Sequence, residues 1–220
     1  PALPLYTVDD AQYAMAFFHP VDFAKIISID DEISFSLHYA GHILGAAYVQ
    51  IRHFDTTILF SGDLGREQDP IMSPPVAPVA SDVLVVESTY GNRSHDKTDP
   101  LVTLEEIINR TFQRKGTVLI PAFAVGRAQM ILYFLYQLKK QSRIPNIPVY
   151  LDSPMAIEAT KLFLTNFHEN RISKNVTTEV YNSAIYTTSV LDSMALDEDD
   201  DPKIIISASG MATGGRILNH

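Results

Sequence analysis

The chain has 220 residues, 46% of them apolar and 20% charged, with a formal net charge of −9 and no cysteine. That length suits one large domain or two small ones, and the composition is that of an ordinary globular protein. Disulfides and thiolate metal sites are excluded, a generally basic nucleic-acid binder is disfavoured, and no run approaches the roughly 20 apolar residues of a membrane span. The first ten residues, P-A-L-P-L-Y-T-V-D-D, lack a basic start and a long apolar core, so no signal peptide is expected and the cytoplasm is the expected compartment. Any metal would be held by His, Asp or Glu.

Charge is unevenly spread. Residues 1–92 hold 3 Lys/Arg against 12 Asp/Glu, residues 93–143 hold 9 against 4, and residues 144–220 hold 5 against 10. The basic section is either a solvated face or a seat for a phosphate-rich ligand.

Residues 9–19 predict a short helix with Asp9 or Asp10 near its start, ended by Pro20. Strands follow at 34–38, 46–51 and 57–60, a succession that predicts a mostly antiparallel sheet. His42 lies between the first two, in A-G-H-I-L-G-A. The stretch T-I-L-F-S-G-D-L-G, residues 57–65, then delivers Asp63 just past a strand end, where Gly62 and Gly65 permit a sharp turn. Imidazole and carboxylate are the donors of catalytic zinc sites, although a histidine beside a strand is also commonly a packed structural residue. The prolines of M-S-P-P-V-A-P-V-A forbid regular structure. The apolar run 83–86 predicts a buried strand carrying Glu87 at its end. Glu87 is either a turn carboxylate contacting Ser88, Thr89 or Tyr90, or an acid/base or supporting group beside a metal.

From about residue 99 the pattern changes to helix 101–114, strand 117–123, helix 126–140, strand 148–151, helix 154–167 and strand 203–207, the alternation of a parallel α/β layer. Arg127 falls in the first turn of a helix, where a guanidinium can grip phosphate or simply be solvated. The loop S-A-S-G-M-A-T-G-G, residues 207–215, precedes a helix expected from about Arg216, and its N–H groups and hydroxyls could cradle a phosphate. The acidic run 197–201 reads as a solvated loop, and His220 has no assignment on spacing.

Taken together, A-G-H-I-L-G-A, F-S-G-D-L-G, V-V-E-S-T-Y-G-N-R, L-I-P-A-F-A-V-G-R-A-Q, Y-L-D-S-P-M-A and S-A-S-G-M-A-T-G-G-R-I-L occur in an order that resembles the metallo-β-lactamase-fold nucleases with a β-CASP domain. This is the family of the mRNA 3′-end processing endonuclease and its bacterial and archaeal relatives. The resemblance implies an α/β fold, with residues 1–92 forming the C-terminal part of a metallo-β-lactamase αββα sandwich. Residues 93–220 would form a β-CASP domain, incomplete at its end, with a mostly parallel sheet flanked by helices. It implies a zinc-dependent RNA phosphodiester hydrolase using two zinc ions. His42 would be a zinc ligand, Asp63 the aspartate bridging both ions and a catalytic residue, and Glu87 the acidic catalytic residue opening the β-CASP part. RNA would run along Arg127, Ser207, Ser209, Gly210, Gly214 and Gly215.

The family's H-x-H-x-D-H, F-S-x-H and H-G-E strings do not occur. The sequence therefore reads as an internal piece of a longer enzyme that binds zinc weakly or not at all and is inactive alone. An exposed sheet edge would favour homo-oligomers. The alternatives are a non-catalytic RNA-binding or scaffold member of the same fold, and an unrelated α/β phosphate-binding domain built on Arg127 and the 207–215 loop.

Overall fold

The computed structural model describes residues 4–94 and 96–220. Helix α1 (Val8–Met15) leads into a five-stranded sheet of β1 (Ile26–Ser28), β2 (Ile33–Tyr39), β3 (Ala47–His53), β4 (Thr56–Phe60) and β5 (Val83–Val85). The remainder alternates α2 (Pro100–Gln113), β6 (Val118–Pro121), α3 (Arg127–Lys140), β7 (Val149–Asp152), α4 (Pro154–Thr165), α5 (Lys174–Asn182), β8 (Ile185–Tyr186), α6 (Val190–Glu198) and β9 (Ile204–Ser207). The mixed α/β class agrees with the sequence reading.

The first sheet runs in the order β1-β2-β3-β4-β5, antiparallel except for the parallel pair β4–β5. The second runs β6-β9-β7-β8 and is parallel throughout. Its strands are apolar and covered by helices: Leu151, Ile204, Ile206, Leu132, Leu135 and Leu138 make one core, each no more than 1% exposed. A continuous apolar strand buried on both faces is what a parallel layer requires.

The two sheets are tied together through residues 69–73 and 169–171. Met72 bridges Asn170 in antiparallel fashion, the Arg171 N–H donates to Ile71 O at 2.8 Å, and the Gly45 N–H donates to Glu169 Oε2 at 3.1 Å. Ile71, Met72 and Phe163 form a small second core beneath this seam.

Several expectations are corrected. Strand 83–86 is not buried: Val83, Leu84, Val85 and Val86 are 46–61% exposed. It lies at the edge of the first sheet, whose most apolar face (Phe35, Leu37, Val49, Ile51, Ile58 and Phe60) is only half-buried or exposed. The opposite face, with Ser36, Tyr48, Thr57 and Leu59, is the buried one, roofed by residues 77–82. The proline-rich loop supplies that roof by accepting hydrogen bonds from Tyr48 and Gln50. The first helix is capped by Thr7 rather than an aspartate, with Asp10 closing a capping box. The acidic run is not wholly loop: Asp197 and Glu198 end α6, Asp197 is bonded to His220, and Asp199 to the buried Lys203. Only a 3₁₀ turn, Arg216–Leu218, follows the glycine-rich loop. Strands β1 and β8 and helices α5 and α6 escaped the sequence reading because they are short or weakly periodic.

Candidate functional site

His42 sits in the β2–β3 connection and Asp63 in the turn after β4. Two backbones meet there. The Gly65 N–H donates to Ala40 O at 2.8 Å, and a Cβ built on Gly65 would lie 1.9 Å from Gly41 O and 2.7 Å from His42 N. Only a residue without a side chain lets the two loops touch. The contact brings His42 Nε2 to 4.0 Å from Asp63 Oδ2.

Glu87 completes the group from the end of β5. Its Oε1 accepts the Leu64 N–H at 3.0 Å, next to Asp63, while its own N–H donates to Ser61 Oγ at 2.9 Å. The bond from Leu64 is the main reason its carboxyl lies below the ordinary glutamate range, followed by Thr89 and, more weakly, His42. Glu87 is thus an anion at neutral pH that braces the turn carrying Asp63. The contact to Thr89 is the turn contact read from sequence, and the bond to Leu64 adds one across the neighbouring loop.

All three line a cavity of about 670 Å³. Its other wall comes from the second sheet's layer: Phe123, Val125, Arg127 and Met130, at the β6–α3 connection and the start of α3. Arg127 is exposed, and among the described residues no hydrogen bond or ion pair ties down its guanidinium, although its backbone N–H donates to Val125 O. Arg66, from the first lobe, lines the same cavity.

Gln129 went unassigned from sequence, although it stands in the quoted string A-V-G-R-A-Q. It is buried, accepts the Gly126 N–H at 2.7 Å, and places Nε2 within 3.0–3.2 Å of Thr160 Oγ1, Ala124 O and Ala156 O. It therefore fixes the first turn of α3, and with it Arg127. A polar side chain amid an apolar helix face was the available signal.

The 207–215 loop does not line the cavity. Ser207 is fully buried and donates its hydroxyl to Asp152 O at 3.0 Å, so it cannot meet a ligand; this corrects its assignment. The Ser209 N–H is used within the loop, on Gly214 O, and the Ile217 N–H on Ala208 O. Gly214 and Gly215 lie in the same closed turn, while Gly210 packs against Phe123. Beneath the loop, fully buried Asp152 receives Arg216 Nη1 at 2.6 Å, Ser193 Oγ at 2.6 Å and His220 Nε2 at 3.0 Å.

Zinc sites use three or four protein ligands. Among the described residues no group of three His, Asp or Glu side chains is arranged to hold a metal ion. His42 and Asp63 bring together an imidazole and a carboxylate, two side chains that do not make such a site by themselves.

The fold and cleft define a two-lobed α/β protein with an imidazole–carboxylate group on one lobe facing an arginine on the other. Residues 128–220 match the Beta-Casp domain family. A ribonuclease of Thermus thermophilus is 33% identical over 99% of this chain and 51% of its own length. An RNase J-like protein of Methanocaldococcus jannaschii is 31% identical over 98% of the chain and 52% of its own. An endoribonuclease of Eremothecium gossypii is 32% identical over 96% of the chain and 28% of its own. Residues 128–220 therefore belong to the Beta-Casp domain family, and the chain as a whole is similar to these ribonucleases. It spans about half the length of the first and second of these relatives and under a third of the last. Among solved structures, a protein of unknown function from Enterococcus faecalis aligns at a TM-score of 0.42 with 14% identity, over 86% of this chain and 44% of its own, a likeness too loose to carry an argument. Among the described residues, no helix is long and apolar enough to cross a membrane.

Proposed function

We propose that the chain is part of a metal-dependent RNA phosphodiester hydrolase. In this reading residues 1–92 belong to a metallo-β-lactamase-like domain and residues 93–220 to a β-CASP domain. The observation that carries it is the convergence of His42, Asp63 and Glu87, from three separate strand ends, on a cavity whose far wall presents Arg127. The relatives' names, ribonuclease and endoribonuclease, support RNA as the substrate.

His42 and Asp63 would serve as ligands for zinc together with donors from elsewhere in the polypeptide. Glu87 would hold the Asp63 turn through Leu64. Arg127 would bind a phosphate, since a guanidinium with no carboxylate partner is free to make a bidentate pair with a phosphodiester. The glycine-rich residues Ser209, Gly210, Gly214 and Gly215 would act behind the cavity wall rather than on it. The cytoplasm is part of the same proposal.

The test is cleavage of a labelled single-stranded RNA by the full-length protein, with metal content measured alongside. Asp63→Ala should abolish turnover, and Arg127→Ala should raise KM. Undiminished turnover in Asp63→Ala, or the absence of any RNA cleavage by the metal-replete protein, would overturn the proposal. The second of these results, accompanied by tight RNA binding, would favour the non-catalytic RNA-binding member of the fold.

A further inference from the structure

We propose that Phe123 is a stacking platform for an unpaired base of the RNA, set beside the phosphate that Arg127 grips; this rests on the RNA reading above. Phe123 follows β6 directly after Ala122, yet Ala122 is 2% exposed and Phe123 is 55% exposed. An aromatic ring left this open in a cavity wall is apolar surface that a flat partner would cover favourably.

The ring is open but not loose. A Cβ on Gly210 would fall 2.8 Å from Phe123 N and 2.9 Å from its ring Cδ2, so the glycine-rich loop packs directly against one side of the residue. The Ala128 N–H donates to Phe123 O at 3.2 Å and the Arg127 N–H to Val125 O at 3.1 Å, which closes the Phe123–Arg127 connection into one short turn. A π face and an unpaired guanidinium are thereby fixed on the same turn, opposite the His42–Asp63–Glu87 group.

A nucleotide offers the matching pair, an anionic phosphate and a flat base one sugar away. Only a single-stranded or splayed base can present its face, and stacking of this kind tolerates any base. The Gly210 loop, read from sequence as a phosphate cradle, becomes the support that holds the ring in place.

The experiment uses the full-length protein and single-stranded RNA carrying 2-aminopurine at successive positions. Fluorescence is followed by stopped flow before cleavage, at fixed salt. The wild type should quench 2-aminopurine strongly at one position. Phe123→Ala should remove that quench and weaken binding roughly 5- to 100-fold. Phe123→Trp should keep both, and Phe123→Leu, which preserves the packing on Gly210 without a π face, should lose the quench as Ala does. Quenching and affinity unchanged in Phe123→Ala or Phe123→Leu would overturn the stacking role and leave the RNA reading standing. A wild type that binds no RNA would overturn both.

Discussion

At the scale of single residues, Gly65 and Glu87 hold the cleft's polar wall in shape. A methyl group at Gly65 has no room against Gly41 O. Gly65→Ala should therefore cost about 2 kcal/mol or more of stability in urea unfolding and move the His42 and Asp63 loops apart, seen as chemical-shift changes concentrated at both. A stability loss below about 0.5 kcal/mol would show that the loops give way easily. Glu87 carries a pH signature. Its folded-state pKa lies below the ordinary 4.5, mainly because it accepts the Leu64 N–H. The sign follows from linkage: the bond's contribution is fully present above the unfolded value of 4.5 and is lost as pH falls through the depressed folded value. In an NMR titration the Leu64 amide should report a midpoint below 4.5, and Glu87→Gln should abolish that step. A midpoint at or above 4.5 would contradict the brace.

At the scale of elements, the end of β7 is joined to α6 and the C-terminal turn through one carboxylate. Asp152 is fully buried and answers Arg216, Ser193 and His220 at once, while His220 also reaches Asp197 of α6 at 2.7 Å. Removing a buried charge's partner leaves the others unsatisfied. Asp152→Ala should cost roughly 3–5 kcal/mol in denaturant unfolding, and Asp152→Asn, which keeps an acceptor, clearly less. Equal effects would mean that the volume matters and the bonds do not. Lys203 is a parallel case: fully buried, it is satisfied by the carbonyls of Leu196 and Asp199 and by the Asp199 carboxylate. The acidic run is thus half structural, although its composition alone marks it as a solvated stretch.

At the scale of the whole molecule, the first sheet is the open side. Phe60, Val83 and Val85 are 39–47% exposed on its apolar face, and no residue of α1 is buried. An apolar sheet face of this extent drives association when nothing covers it. The 220-residue chain on its own should therefore sediment as a dimer or larger species at tens of micromolar, and Phe60→Lys with Val85→Lys should return it to a monomer. A clean monomer for the unmodified chain would count against this expectation. The second layer, with its closed core, supplies the far wall of the cleft.

The alternation of β6, α3, β7, α4 and β9 was legible because buried parallel strands are uniformly apolar and the helices between them are long, 14 residues in α3 and 12 in α4. His42, Asp63 and Glu87 were legible because glycines and strand ends mark where polar groups can emerge. Neighbourhood was not legible. Nothing in the string S-A-S-G-M-A-T-G-G shows that Ser207 points inward to Asp152, that Gly210 backs Phe123, or that the loop stands outside the cavity wall. Nor does the apolar run 83–86 reveal that it lies uncovered. Local chemistry determined which residues could act, because turn and strand preferences depend on neighbours along the chain. Which of them meet was decided by the packing of one lobe on the other, since burial and hydrogen-bond partnership depend on residues far apart in sequence.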